Sequence, residues 1–285
     1  MPRAHRHVAS LVGTLMFVAA TLLLAPTAQA AKPQTYHIRF AAAVGSKPFQ
    51  CGQSYTDLGL GGATVAVDYF RFFVSGVRLI DATGRRVPLE LQQDGVWQRR
   101  DVAFLSFENP ASGCANGSPL QHEEVAGTAP PGDYRAVEFT LGLPNDLDHA
   151  DATVAESPLN LTDMFWTWQA GYKFLRFDAR VTAPDGSSAG YFLDLGSTGC
   201  TQPPGGAVTC RNPNLETVVL DGFDPEKNVV VADLGSLFAH ADLLALARAG
   251  GCMSSPGQAC QPVMHDLGVA FGGEAGGAQA LFRVR

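Results

Sequence analysis

The sequence predicts an all-β fold: a single sandwich-like domain with long, disulfide-tied loops and one or two short helices. Three observations point there. Gly (31) and Pro (18) are abundant among the 285 residues, which favours many turns between short strands over long helices. Several segments are rich in β-branched and aromatic side chains, as strands are. Six Cys, an even number, are spread over the chain from Cys51 onward, as in small-looped domains stapled in an oxidising compartment.

The elements follow in chain order. Residues 1–30 read as a leader rather than as fold. Arg3, His5, Arg6 and His7 make a basic start, Val8 to Leu24 is apolar, and Ala28-Gln29-Ala30 is a small-x-small cleavage site. Cleavage after Ala30 places residues 31–285 in the periplasm, and the apolar run is short for a membrane anchor. Thr35 to Val44 is a strand. Thr64 to Ile80 is a long one, with Gly76 as a bulge or bend. Asp81 to Gly84 turns the chain into a returning strand, Arg86 to Leu91. Val96 to Phe107 is a further strand region, Asn109 to Pro131 is rich in turns, and Tyr134 to Leu143 is a strand. A polar loop, 144–158, precedes a short turn or helix at Leu161 to Gln169. Tyr172 to Val181 and Gly190 to Leu195 form a hairpin about Pro184-Asp185-Gly186. Thr217 to Leu220, Asn228 to Asp233 and Ala280 to Val284 are short strands. Asp233 to Arg248 is the best helix: its leucines share a face, and Gly250-Gly251 ends it. No repeat or low-complexity linker divides the chain.

Charge narrows the function. Charged residues are 16% of the chain and the net charge is -7; removing Arg3 and Arg6 with the leader makes the remainder more acidic. That excludes nucleic-acid binding, which needs Lys/Arg patches to meet phosphates. The Cys spacing suggests two local disulfides, Cys200–Cys210 and Cys252–Cys260, leaving Cys51 with Cys114; this rests on proximity, and other connectivities stay open. No Cys-x-x-Cys is present, so zinc-ribbon, thioredoxin-like and haem c sites lack support.

Few residues carry chemistry by themselves. His37, His122, His149, His240 and His265 show no metal-ligand spacing. His149 lies in the acidic stretch Asn145 to Asp151, whose register does not fit an EF-hand. Gly186-Ser187-Ser188-Ala189-Gly190 has the Gly-x-Ser-x-Gly pattern, but a turn precedes it and a strand follows, so it is a hairpin loop rather than a nucleophile elbow. Trp166 and Trp168 share a face if extended. Core packing is the ordinary reading of two such indoles; indole is also readily oxidised, so a Trp beside a metal or redox partner is open to modification.

Several blocks taken together resemble one family. They are Phe49-Gln50-Cys51-Gly52, Phe72 to Leu79, Leu141-Gly142-Leu143-Pro144 with Asp148-His149, Ser157-Pro158-Leu159-Asn160, Met164 to Phe174, Leu195 to Cys200, and Gly251-Cys252-Met253-Ser254. The chain resembles the MbnP-like family, the metallo-mystery-pair proteins with a four-Cys motif. The resemblance implies a periplasmic copper-binding protein for copper acquisition or trafficking, with a di-haem, cytochrome c peroxidase-like partner of the MbnH type. It implies that the partner converts a Trp, here Trp166 or Trp168, to kynurenine, and that the product helps hold copper. His149 matches the family's His after the Leu-Gly-x-Pro block. Two positions depart: Asp194 stands where members often carry His before Leu-Gly-Ser-Thr-Gly-Cys, and Ser75 stands where many carry another. Carboxylate is a poorer ligand than imidazole for Cu(I), so His37 enters as an alternative ligand beside Asp194. No catalytic residues are expected; the chain is its partner's substrate. The competing reading is an exported β-sandwich that serves as a structural or interaction module without metal, with Trp166 and Trp168 in its core.

Overall fold

The strand Ala63–Asp81 organises the molecule. Its length comes from a segment rich in β-branched and aromatic residues, and Val65, Phe70, Phe72, Phe73 and Val74 are fully buried. Two irregularities bend it. Asp68 is an extra residue between the pairs Ala179↔Val67 and Asp178↔Tyr69. Gly76, at φ +60°, and Val77 lie between the pairs Thr140↔Ser75 and Glu138↔Arg78, which is the predicted bulge.

The computed structural model describes residues 1–2, 31–109, 121–167 and 169–285; residues 3–30 of the expected leader, Cys114 and Trp168 lie outside them. Lys32–Arg285 forms one compact unit. A nine-stranded sheet runs Ser188–Leu195, Leu175–Thr182, Ala63–Asp81, Tyr134–Leu141, Glu216–Asp221, with short strands added to the central one. A six-stranded sheet runs Phe282–Val284, Val230–Asp233, Gln34–Val44, Glu124–Ala129, Glu90–Leu91, with Lys47–Pro48 beside Gln34–Val44. The sheets meet through aromatic rings. Phe40 of the smaller sheet packs on Phe72 and Phe139 of the larger, at 6.4 and 5.7 Å. Phe282 packs on the same two rings, at 5.4 and 5.1 Å. The all-β, sandwich-like expectation holds.

Local departures have physical reasons. The expected strand 86–91 divides: Arg86–Pro88 joins the larger sheet and Glu90–Leu91 the smaller. The region 96–107 is a hairpin of Gln98–Arg99 with Val102–Ser106, turned at Arg100 with φ +54°. The strand Glu124–Ala129 lies within the segment expected to be rich in turns. Its sequence is weak because it includes Gly127, where a Cβ would come within 2.7 Å of the Glu90 carbonyl oxygen. Four short α-helices are present among the described residues, against one or two expected. The predicted helix 233–248 is two, Leu234–Leu237 and Leu243–Arg248. The break lets the Ala241 carbonyl accept from Leu60 N at 2.8 Å, and Asp242 caps the second helix through Ala245 N. Cys200–Cys210 and Cys252–Cys260 are bonded as proximity suggested; Cys51 is also disulfide-bonded.

Candidate functional site

The edge hairpin Leu175–Thr182 and Ser188–Leu195 is where the functional candidates converge. The chain enters it from a small ribbon, Phe165–Thr167 with Gly171–Tyr172, and Phe174 N bonds the Leu195 carbonyl at 2.6 Å. It leaves through Gly196 and Ser197 into a second ribbon, Thr198–Thr201 with Thr209–Asn212. A third segment docks on the edge strand: Cys252 N donates to Phe192 O at 2.7 Å, and Asp194 N donates to Cys252 O at 2.8 Å. These three segments enclose a surface cavity of about 450 Å³ lined by Trp166, Gln169, Thr198, Cys200, Met253 and Ser255, among others.

Trp166 is half-buried and forms a wall of this cavity. Its ring rests on Gly196, where an added Cβ would meet Trp166 Cζ3 at 2.6 Å and the Tyr172 carbonyl oxygen at the same distance. Trp166 is therefore outside the core cluster, contrary to the module reading that placed both indoles there.

Behind the cavity lies a buried acid–imidazole pair. Asp148 ends the short helix Asn145–Asp148 and has a side chain 0% exposed, while that of His149 is 6% exposed. Asp148 Oδ1 accepts from Tyr172 N at 2.8 Å. Gly171, at φ +79°, leaves room for this carboxylate; any side chain there would collide with it. Asp148 Oδ2 is buried without a hydrogen bond and lies 3.3 Å from His149 Nε2. Burial pushes the Asp148 carboxyl above its ordinary value, opposed by the Tyr172 amide, Ser197 and His149. His149 Nε2 also lies 3.2 Å from Cys210 Sγ, and ligand atoms of His149, Cys200 and Cys210 all fall within 4.8 Å of one another. The disulfide thus stands between the imidazole and the cavity, with Cys200 on the cavity side.

The other predicted ligands are placed differently. Asp194 is buried on the edge strand, holds Lys173 Nζ at 2.9 Å, and keeps Oδ1 without a hydrogen bond. Burial raises its carboxyl above the ordinary value, with Lys173 opposing. His37 lies on Gln34–Val44 in the other sheet, exposed and bonded to Glu124 at 2.7 Å, and the structure does not bring it to His149. Ser75 is buried in the central strand. His122 bonds the Phe104 carbonyl and stacks on Trp97 at 4.8 Å; His240 and His265 each bond Asp266. Met253, Ser197 and Asp148 stand in the family-like blocks but are given no site role by the sequence. Nothing local marks them, since only the docking of Gly251–Ser254 and the turn after Leu195 bring them together.

The fold and the site define an all-β, disulfide-stapled protein with a tryptophan-walled cavity backed by a buried His–Asp pair. The family model of MbnP matches residues 33–254. The solved structure of MbnP from Methylosinus trichosporium is similar at a TM-score of 0.77 and 31% identity, covering 89% of this chain and 99% of that one. No curated protein matches the sequence. The chain belongs to the MbnP family.

Proposed function

We propose that this chain is a periplasmic copper-binding protein of copper acquisition or trafficking, in which Trp166 or Trp168 becomes kynurenine through an MbnH-type di-haem partner. The observation that supports it most is the position of Trp166. It walls an open cavity with Cys200 and Met253, where an oxidising partner has access, rather than filling the core.

The residues present suit copper. The thioether of Met253 and the imidazole of His149 are soft and borderline donors of the kind copper takes, and the Asp148 carboxylate lies 3.3 Å from His149 Nε2, where it adds negative charge beside the imidazole. Asp194 is engaged with Lys173 and is the weaker candidate. Bound copper would supply a redox-active cation to this cavity. Two equivalents of hydrogen peroxide, used through the partner, would break the C2–C3 bond of the indole and place an oxygen on each carbon, with two waters released. Hydrolysis then releases formate and leaves an aryl amine and a ketone that can coordinate, where indole cannot.

The test is to express the chain with and without its di-haem partner, then measure intact mass, map the modified Trp by peptide mass spectrometry, and quantify copper. The expected result is partner-dependent conversion at Trp166 or Trp168 with copper bound. Unmodified Trp and no copper in both preparations overturn the reading.

A further inference from the structure

The Cys200–Cys210 disulfide differs from the other described cysteines in position. Cys51, Cys252 and Cys260 are 2%, 0% and 0% exposed, whereas Cys200 and Cys210 are half-buried and Cys200 lines the cavity. A reductant entering the cavity meets this bond first. Its other sulfur, on Cys210, faces His149 Nε2 at 3.2 Å.

We propose that Cys200, Cys210 and His149 form a reductively opened site for a soft, thiophilic cation, with Cu(I) as its probe. The step is thiol–disulfide exchange with a dithiol. A dithiol thiolate attacks Cys200 Sγ, the S–S bond breaks, and its electron pair leaves on Cys210 Sγ, beside His149 Nε2. The second thiol of the reductant then attacks the mixed disulfide and frees Cys200. The dithiol is oxidised to a disulfide, and the protein gains two electrons and two protons. Binding of Cu(I) displaces the two thiol protons and leaves two thiolates and one imidazole around the cation, a donor set that selects soft metals.

The ribbon keeps this geometry after the bond opens. Cys200 and Cys210 are direct cross-strand partners, flanked by the pairs Thr198↔Asn212 and Thr201↔Thr209. Asn212 Nδ2 donates to Thr198 Oγ1 at 3.1 Å, and Asn145 Nδ2 holds the Val208 carbonyl at 2.9 Å. The thiols therefore stay opposed without the covalent link. The site shares His149 with the copper reading above but does not need the oxidised chain to bind copper.

The test treats the full chain anaerobically with limiting dithiothreitol, alkylates a portion to map the opened cysteines, and titrates the rest with Cu(I) against a chromophoric chelator. The expected result is alkylation of Cys200 and Cys210 before Cys51, Cys252 and Cys260. One further equivalent of Cu(I) binds, with thiolate-to-copper absorbance in the ultraviolet. His149→Ala, which keeps the disulfide and so the oxidised fold, weakens that equivalent; the double variant Cys200→Ser/Cys210→Ser abolishes it. Prior opening of another disulfide, or no gain in Cu(I) on reduction, overturns the proposal. Absence of copper from the oxidised, partner-treated chain overturns the earlier reading alone.

Discussion

Gly196 has no side chain because the Trp166 ring and the Tyr172 carbonyl occupy the space a Cβ would take. Gly196→Ala must displace the indole or the turn, at a cost of about 1–3 kcal/mol as for other overpacked sites. Urea unfolding followed by intrinsic fluorescence checks both parts: lower stability and a shifted Trp emission are expected, and an unchanged spectrum with unchanged stability refutes the steric argument. At this scale the sequence revealed Trp166, because paired indoles are rare and belong to a recognisable block. It gave Asp148 and Met253 no site role, although both stand in the family-like blocks. An aspartate in a polar loop gives no sign that it will be buried beneath Tyr172, and Met253 reaches the cavity only through strand-like pairing of Cys252 beside Leu193.

The edge strand Glu216–Asp221 begins with a residue whose titration is coupled to folding. Glu216 packs its carboxylate against Gly268, and burial raises its carboxyl from 4.5 to about 7. Between those values the folded chain keeps a proton that the unfolded chain has released, so stability falls as pH rises through that window. The group is partly solvated, and screening limits the effect to about 1 kcal/mol. Glu216→Gln should flatten the fall, as read from denaturant midpoints across the window; a variant with the same slope as the parent refutes the assignment. Element type was legible wherever β-branched and aromatic runs were long, as in Ala63–Asp81. Boundaries failed where tertiary bonds decided them. The Leu60 contact with Ala241 splits a helix that its leucine pattern would have continued, and Glu90–Leu91 changes sheet within an apparently continuous strand.

Across the whole molecule, the larger sheet carries a buried line of charge. Arg71 and Glu108, with side chains 4% and 0% exposed, are ion-paired, and Glu108 also accepts from Phe70 N at 2.9 Å. Asp163, from the segment leading to Trp166, pairs with both Arg71 and Arg176. The Tyr69 ring lies near both guanidiniums, at 5.0 and 4.0 Å. Glu108→Ala removes the fully buried partner of Arg71 and leaves it only the more exposed Asp163, which should cost about 3 kcal/mol. The double variant Arg71→Met/Glu108→Leu should recover most of that loss in thermal or denaturant unfolding; additive losses refute the pairing argument. Sequence reading found the sandwich but not this network, because its members are scattered from Tyr69 to Arg176 and each charge looks like an ordinary surface one. The smaller sheet adds a different consequence. Gln34–Val44 pairs in parallel with Val230–Asp233, which in turn pairs with Phe282–Val284. The antiparallel neighbour of Gln34–Val44, Glu124–Ala129, exists by mid-chain, but the parallel one is made only near the end. Such non-local closure is slow, so the Phe72 and Phe139 rings stay uncapped until Phe282 arrives, and the inter-sheet core closes only when the last strand is in place.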